Sequence, residues 1–253
     1  MLGKLSMAGK VALVTGGAKG MGAAHSRLMA ERGAAVIIAD VDPAGEALAA
    51  ELRAKGADAR YVHLDVTSEK DWLAAVEGAM KAHGKVNVLV NNAGVAVLKA
   101  LDESTVEEFD FVFGVNMKGV FLGCKHILPA MKAAGGGSII NISSASGMKA
   151  LMPQLSLYTA SKGAVRMFSK AAAWEYTPHN IRVNSVYPGL IETALNAEYL
   201  KDPATRKMML GNTMFDRPGL CDEVAEAVAF LASDASSYMT GAELAVDGGW
   251  TAN

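Results

Sequence analysis

The sequence predicts a single α/β domain, a doubly wound parallel sheet of seven strands with helices on both faces. Short apolar runs rich in Val, Ile, Leu and Ala recur along the chain, as expected of strands that are buried on both faces. They alternate with longer amphipathic stretches, which predict right-handed strand–helix–strand units. Because no linker or internal repeat interrupts the alternation, we expect residues 1–253 to form one domain.

The predicted strands are the apolar runs at 10–16, 34–40, 59–66, 86–94, 137–144, 181–189 and 241–249. Helical patterns lie between them at 20–32, 43–55, 69–83, 104–133, 158–177 and 222–233. Residues 190–217 form one conspicuous irregular segment. A connection of this length is more typical of a lid over a binding site than of a passive loop.

Composition and charge narrow the class of protein. The chain is 51% hydrophobic with a net charge of -2 at pH 7, which gives no electrostatic reason to expect nucleic acid or an anionic membrane as a partner. Two cysteines, Cys124 and Cys221, make neither a disulfide framework nor a metal cluster, and the five histidines show no ligand spacing. We find no signal peptide and no apolar stretch of membrane-spanning length, so we expect a cytoplasmic protein without a catalytic metal.

The segment TGGAKGMG, residues 15–22, follows the first predicted strand and opens the first predicted helix. Its glycines Gly16, Gly20 and Gly22 allow a sharp turn and a close approach of the backbone to a pyrophosphate at the helix N-terminus. The spacing differs from the general dinucleotide fingerprint Gly-x-Gly-x-x-Gly. The segment therefore indicates either a dinucleotide site or a glycine-rich turn without a ligand.

Asp40 ends the second predicted strand, where an acidic residue accepts hydrogen bonds from the adenosine ribose hydroxyls. It would also repel the 2′-phosphate of NADP, since two unit charges ~4 Å apart at an effective dielectric of ~20 interact by about 4 kcal/mol. Lys19 favours NADP instead, because a cation in the glycine loop could bind the 2′-phosphate. The alternative for Lys19 is a solvated loop lysine, and we expect NAD as the cofactor.

Tyr158 and Lys162 are four residues apart in YTASK and would share one face of a helix. Lowering a tyrosine pKa from ~10 to ~7 requires about 4 kcal/mol, which a close ammonium can supply in a partly desolvated site. Tyr158 could then act as general base toward an alcohol or general acid toward a ketone. The alternative is an ordinary helix start with a surface lysine.

Two further polar residues support the functional interpretation. Ser144 ends the fifth predicted strand, where open α/β sheets bind ligands, and its hydroxyl could hold a substrate oxygen. Asn116 lies within an apolar helical pattern, where a buried amide needs partners. A structural hydrogen bond and a water-holding role in a proton relay both require this burial.

Together these residues resemble the short-chain dehydrogenase/reductase family in its single-domain form, which has a Rossmann-type fold. The matching motifs cover nearly the whole chain: TGGAKGMG, Asp40, HLDVT, NNAG, Asn116, IINISS, YTASK, RVNSVYPG and TGAELAVDGGW. The resemblance implies a catalytic tetrad of Asn116, Ser144, Tyr158 and Lys162. It implies that Tyr158 is the acid/base, that Ser144 stabilises the substrate oxygen, that Lys162 binds the nicotinamide ribose, and that Asn116 holds a relay water.

The resemblance also implies an NAD site. Its residues are Gly16, Lys19, Gly20, Met21, Gly22, Asp40, Asp65, Val66, Asn92, Ala93, Gly94, Tyr158, Lys162, Pro188, Gly189, Ile191 and Thr193. Asp65 and Val66 would meet the adenine, and Ile191 and Thr193 the carboxamide. The spacing from Ser144 to Tyr158 is one residue longer than the family pattern, which places the extra residue in the substrate-facing segment 147–157.

Apolar side chains of the lid and of the loop before Tyr158 predict a roomy pocket for a bulky apolar alcohol or ketone, such as a steroid, alicyclic or aromatic compound. These residues are Met148, Leu151, Met152, Leu190, Leu195, Tyr199, Leu200, Met208, Met209, Leu210, Met214 and Phe215. The alternative is that about half of them pack on the core or on a subunit interface. Among family members the motifs most resemble bacterial NAD-dependent hydroxysteroid dehydrogenases.

The sequence therefore predicts an NAD-dependent alcohol dehydrogenase or ketone reductase. Two alternatives stay open: an NADPH-dependent 3-oxoacyl-thioester reductase, and a cofactor-binding sensor or scaffold without turnover. The C-terminal strand and Trp250 resemble the part of tetrameric relatives that pairs subunits, so we expect a homotetramer.

Overall fold

The computed structural model describes residues 3–193, 196–211 and 213–252, with Tyr199 described for its main chain alone. Its strands are β1 Val11–Thr15, β2 Ala35–Asp40, β3 Ala59–His63, β4 Val88–Asn91, β5 Gly137–Ile142, β6 Ile181–Pro188, β7 Ile191–Glu192, β8 Gly219–Leu220 and β9 Glu243–Val246. Its α-helices are α1 Gly20–Glu31, α2 Ala44–Ala54, α3 Glu69–His83, α4 Val106–Phe113, α5 Gly119–Ala133, α6 Ser156–Tyr176, α7 Pro203–Leu210 and α8 Cys221–Ala232.

Seven strands form one parallel sheet in the order β3-β2-β1-β4-β5-β6-β9, which confirms the predicted fold class. The chain winds outward in one direction from β1 to β3 and in the other from β4 to β9. The order reverses between β1 and β4, so the carboxyl ends of these two strands flank a crevice. Ligands bind at such a switch point in open α/β sheets.

Two hydrophobic cores lie on opposite faces of the sheet. Along β1, Ala12 and Val14 point into the core beneath α1, α2 and α8, whereas Val11 and Leu13 point into the core beneath α3, α5 and α6. Alternate side chains of a strand face opposite sides, so a strand covered on both faces must be apolar throughout. This is why the strand segments read as continuous apolar runs.

The helix predicted over 104–133 is interrupted. A π-turn, Gly114–Lys118, separates α4 from α5 and contains Asn116. Such turns occur frequently at functional sites. By length and composition alone, Val106–Ala133 could cross a membrane, but its second part, α5, buries Ile127 in the hydrophobic core on one face of the sheet.

The segment predicted as irregular contains regular structure. The short parallel pair β7–β8 ties its two ends together, with Ile191 opposite Gly219. Between them lies α7, whose N-cap Asp202 accepts a hydrogen bond from the Thr205 backbone N–H at 2.8 Å. The expectation that this segment is irregular was therefore wrong for 203–210, because the Asp202–Pro203 helix-start signal was overlooked.

Candidate active site

The glycine loop between β1 and α1 is shaped for close contact. Gly16 has φ +60°, and a Cβ there would lie 2.9 Å from the Cα of Ala93. A Cβ on Gly22 would lie 2.7 Å from Nδ2 of Asn92. A side chain at either position would collide with the loop itself or with the turn after β4, so only glycine allows this tight turn, which is the shape of a dinucleotide site.

The turn after β4 holds this loop in place. Nδ2 of Asn92 donates to the carbonyl oxygens of Thr15 at 2.9 Å and Gly16 at 3.1 Å. The hydroxyl of Thr15 accepts in return from the backbone N–H groups of Asn92 at 3.0 Å and Ala93 at 3.1 Å. Thr15 was absent from the predicted site, although its position directly before Gly16 could have suggested it.

The end of β2 carries negative charge. Asp40 accepts hydrogen bonds from the backbone N–H of Ala18 and of Asp42, both at 3.0 Å. Lys19 lies 2.5 Å from the carboxylate of Asp42, and this hydrogen bond raises the pKa of Lys19 and lowers that of Asp42. Lys19 is thus an exposed loop lysine that is paired with Asp42, a second acidic residue that the sequence reasoning missed.

A cleft of about 540 Å³ runs along the carboxyl ends of β1, β2 and β4. Its lining includes six predicted cofactor residues, Gly16, Asp40, Asp65, Val66, Ala93 and Gly94, together with Val41, Leu64, Thr67, Val95, Phe111 and Val115. The carboxylate of Asp65 accepts from the N–H of Thr67 at 2.9 Å and from its hydroxyl at 2.8 Å. The volume and the lining suit a nucleotide.

The remaining predicted cofactor residues lie at the carboxyl end of β6 and at the glycine loop. Thr193 reaches the loop, since its Cγ2 would be 3.8 Å from a Cβ on Gly20. Ile191, two residues before Thr193, is buried. Gly189, which follows Pro188, packs against Asp247. Met21 is half-buried and packs on the core below α1.

Tyr158 lies in the first turn of α6, which begins at Ser156. Burial raises the pKa of the Tyr158 phenol, and the hydrogen bond with the side chain of Ser144 opposes that rise. Ser144 follows β5, is buried, and accepts from the N–H of Ser146 at 3.1 Å. The two hydroxyls therefore meet, as the sequence predicts.

Lys162 is buried one turn further along α6, and its Nζ donates to the carbonyl oxygen of Ile142 at 2.8 Å. Nζ lies 5.8 Å from the centre of the Tyr158 ring. Burial lowers the pKa of Lys162 to about 8. Burial therefore dominates the pKa of Tyr158 in the single chain, and the lowering of that pKa by Lys162 stays a prediction.

Asn116 is fully buried and fixed by three hydrogen bonds. Its Oδ1 accepts from the N–H of Val95 at 2.8 Å, and its Nδ2 donates to the Val95 carbonyl and to Oγ of Ser161, both at 2.9 Å. Ser161 donates to the carbonyl oxygen of Tyr158 at 2.7 Å. Gly94 faces this group, since a Cβ there would lie 3.3 Å from Nζ of Lys162.

The structure thus brings the four predicted catalytic residues to one end of the nucleotide cleft. Ser161 is an addition to the predicted set. It lies within YTASK, but only the folded chain shows that it joins Asn116 to α6.

Among the predicted lid residues, Leu195 lies outside the described residues, as does the side chain of Tyr199. Fold and site define a dinucleotide-binding α/β protein with a tyrosine–serine–lysine centre.

Comparison with known proteins identifies the family. A family model described as enoyl-(acyl carrier protein) reductase matches residues 16–251. Cyclopentanol dehydrogenase from Comamonas sp. is 44% identical over 245 residues, 96% of this chain and 98% of that enzyme. The 3-alpha-(or 20-beta)-hydroxysteroid dehydrogenase from Mycobacterium tuberculosis is 47% identical over 246 residues, 96% of this chain and 90% of that enzyme.

A solved structure is similar over the whole chain. The crystal structure of a gluconate 5-dehydrogenase from Burkholderia cenocepacia J2315 in complex with NADP and tartrate matches with a TM-score of 0.94 at 34% identity. The match covers 100% of this chain and 99% of that one. The chain belongs to the short-chain dehydrogenase/reductase family. It is an oxidoreductase of the family's alcohol dehydrogenase and ketone reductase type, which uses a nicotinamide cofactor.

Proposed function

We propose that this protein transfers a hydride between NAD(H) and a bulky apolar secondary alcohol or its ketone. The observation that carries the proposal is the meeting of Ser144, Tyr158 and Lys162 at the end of the nucleotide cleft. A sensor or scaffold that only binds the cofactor would not need these two hydroxyls and the ammonium together, which favours an enzyme.

The nicotinamide ring, when bound, supplies or accepts the hydride. In ketone reduction, Tyr158 donates its phenolic proton to the carbonyl oxygen while the hydride adds to the carbon. In alcohol oxidation, Tyr158 as phenolate removes the hydroxyl proton while the hydride leaves the carbon. Ser144 donates a hydrogen bond to the same oxygen and stabilises the negative charge that develops there.

Lys162 and Asn116 hold the centre in position. We propose that the ammonium of Lys162 binds the nicotinamide ribose and stabilises the phenolate of Tyr158 when that charge forms. Asn116 holds α6 through Ser161 and the loop after β4 through Val95. Its position in a π-turn beside Gly94 supports the proposed relay water, because π-turns leave main-chain groups outside the regular helical pattern.

We propose NAD rather than NADP as the cofactor. Asp40 and Asp42 place two carboxylates at the end of β2, and Lys19 is paired with Asp42. The local charge therefore repels a 2′-phosphate despite the lysine. The NADP in the similar gluconate 5-dehydrogenase structure belongs to that protein and makes a direct test necessary.

The proposed substrate class rests on the lid and on the relatives. The lid carries exposed apolar side chains, among them Met208, Met214 and Phe215. Relatives with 40% identity or more are named for cyclopentanol, hydroxysteroid and cyclohexadiene-diol substrates. An alicyclic secondary alcohol agrees with both observations.

We also propose a cytoplasmic homotetramer. The face formed by α4, α5 and α6 carries large apolar side chains that are open to solvent in the single chain, Val106, Phe121, Met167 and Trp174. Tyr238, near the C-terminal strand, is fully exposed. One further copy of the chain would cover the helical face, and another would cover the region around Tyr238, as in a tetramer with two kinds of interface.

The proposal is tested with NADH and NADPH over one panel of cyclic ketones, steroids, aryl ketones and acetoacetyl thioesters. We expect NADH-dependent turnover of the cyclic or steroid ketones. In Tyr158→Phe, turnover should fall about 100- to 10,000-fold, because the proton donor is lost. NADH affinity should be retained.

Two outcomes would contradict the proposal. Turnover of the thioester alone with NADPH would establish the oxoacyl-thioester reductase. Tight NADH binding without turnover of any ketone, equal in wild type and Tyr158→Phe, would establish a sensor.

A further inference from the structure

A buried histidine lies behind the glycine loop without a clear role. His25 on α1 has no solvent exposure, and neither ring nitrogen has a hydrogen-bond partner among the described residues. Burial lowers the pKa of His25 to about 3, so the ring is neutral at pH 7. A neutral imidazole still has one N–H donor and one acceptor nitrogen, and leaving them unpaired in the interior is costly.

Asn92 has a buried acceptor atom that lacks a hydrogen-bond donor within the described chain. Both hydrogens of its amide are used, since Nδ2 donates to the carbonyl oxygens of Thr15 and Gly16. Those two acceptors fix the orientation of the amide and leave Oδ1 on the other side. That oxygen is buried and finds no donor in the part of the chain that the structure describes. Asn92 therefore needs one N–H group, and His25 has one to give.

Asn92 and His25 lie against the same side of α1. A Cβ on Gly22 would lie 2.7 Å from Nδ2 of Asn92, and His25 follows Gly22 by three residues on the same helix face. The two side chains make no direct hydrogen bond, and one buried water can pair polar atoms that are otherwise unsatisfied. Gly22 packs against the amide from α1, so Asn92 has little freedom of its own.

We propose that His25 is a positioning residue of the cofactor loop. Its N–H serves Oδ1 of Asn92, directly or through one water, and keeps the amide turned toward the carbonyls of Thr15 and Gly16. Without that donor the amide can reverse, which would set its oxygen against those carbonyls and loosen the loop. The inference rests on nicotinamide cofactor binding and is independent of the substrate class.

The first test replaces His25 by a ring of similar size without N–H. In His25→Phe we expect the NADH dissociation constant, measured by calorimetry, to rise about 10-fold, as for one lost hydrogen bond. The melting temperature without cofactor should change only modestly, because the apolar ring leaves Oδ1 of Asn92 without a donor but also removes the buried polar nitrogens of His25. We expect kcat at saturating NADH to change less than about twofold. A lowered melting temperature with unchanged NADH affinity would show a purely structural role and overturn the proposal.

A matched control and two conservative variants sharpen the test. His83, at the end of α3, is a second largely buried histidine with an unpartnered ring nitrogen, and His83→Phe should leave NADH affinity unchanged. An amide N–H stands near Nδ1 in His25→Asn and near Nε2 in His25→Gln. One of the two should restore NADH affinity, and failure of both would overturn the proposal.

A double-mutant cycle tests whether His25 acts through Asn92. His25→Phe should cost no further NADH affinity in an Asn92→Ala background, because the amide that it orients is gone. Additive losses would overturn the proposal. If the ketone panel shows no turnover while these NADH affinities change as expected, the proposed function fails and the role of His25 stands.

Discussion

Tyr158 and Lys162 lie side by side in an environment that disfavours the charged form of each. Burial raises the pKa of the phenol and lowers the pKa of the amine to about 8. Each group would favour the charge of the other, because phenolate and ammonium have opposite signs. The centre therefore holds a neutral tyrosine until a further positive charge or a developing oxyanion changes the balance.

The buried amine of Lys162 predicts a pH-dependent stability. Its folded pKa, about 8, lies below the ordinary value of 10.5, so the unfolded chain binds more protons between these two pH values. Wild-type stability should therefore rise relative to Lys162→Met from pH 8 to pH 10.5, by about 3 kcal/mol at most. Below pH 8 the difference should be constant, with the variant as stable as wild type or more so.

Urea unfolding of the cofactor-free proteins at a series of pH values measures this difference. Lys81→Met, on the exposed side of α3, is the control and should show no such change. A constant difference between wild type and Lys162→Met from pH 7 to pH 10.5 would contradict the prediction.

The carboxylates at the end of β2 predict a change of cofactor preference. Asp40→Asn removes the charge and keeps one acceptor oxygen, so one of the two hydrogen bonds from the N–H groups of Ala18 and Asp42 is retained and the other is lost. The ratio of kcat/KM for NAD to that for NADP should fall on the order of 100-fold, because a close repulsion of the 2′-phosphate is lost. Adding Asp42→Asn should lower the ratio further, since Lys19 is then free.

Kinetic measurements with both cofactors test this preference. Asp58→Asn removes a carboxylate at the opposite end of the sheet and should leave the ratio unchanged. A preference for NADP in the wild type would show that Lys19 dominates and that the assignment of NAD is wrong.

At the scale of elements, helix α6 carries and positions most of the predicted catalytic side chains. Its first two turns carry Tyr158, Ser161 and Lys162, and Ser161 ties the helix to Asn116 in the π-turn. A second tie is the hydroxyl of Ser143, which donates to the carbonyl oxygen of Lys162 at 2.8 Å. The catalytic side chains are therefore held by one helix that is bonded to two neighbouring segments.

The lid rests on the C-terminal segment. The N–H of Met214 donates to the carbonyl oxygen of Gly248 at 2.9 Å, and Gly211 packs against the buried ring of Trp250. Gly211 has φ +52°, and a Cβ there would lie 2.8 Å from Cζ2 of Trp250. A side chain at position 211 must therefore move the lid or strain the backbone.

Gly211→Ala should raise KM for bulky ketones several-fold, because the lid forms the proposed substrate wall. NADH affinity should stay unchanged, as the glycine loop is untouched. The control Gly78→Ala lies in the middle of α3 with open space around it and should stabilise the protein by about 0.5–1 kcal/mol. An unchanged KM in Gly211→Ala would show that the lid does not contact the substrate.

Trp250→Phe separates the two causes in Gly211→Ala. The smaller ring makes room for the new methyl group but leaves the positive φ in place. Recovery of the ketone KM in the double variant would assign the effect to the contact with Trp250. No recovery would assign it to backbone strain.

At the scale of the whole molecule, the exposed apolar face of α4, α5 and α6 predicts assembly. Trp174 on α6 is 87% exposed in the single chain, far from the cofactor cleft. Trp174→Glu should convert a tetramer into smaller species in sedimentation velocity at micromolar concentration, because a charge replaces the large apolar contact. Leu73→Glu, at a 55% exposed position on α3, is the control and should remain tetrameric. A monomeric wild type would contradict the assembly.

The strand–helix alternation was readable from sequence because both sheet faces are covered. Each buried strand then has to be apolar throughout, and each helix has to be amphipathic. The glycine loop, Asp40 and the YTASK segment were equally readable, since each is a local pattern of adjacent residues. The π-turn at Asn116 was missed because it depends on packing against α6, whereas α7 was missed because its local Asp202–Pro203 start signal was overlooked.

The sequence by itself determined the fold class, the order of the elements and the residues that meet at the strand ends. Side-chain periodicity and backbone freedom are local properties, and they survive in the linear chain. Only the tertiary structure decided the charge states and the partners. Burial lowers the pKa of Lys162, Asp42 pairs with Lys19, and the amide of Asn92 donates to the carbonyl oxygens of Thr15 and Gly16. Desolvation and long-range contacts exist only once distant segments are packed together.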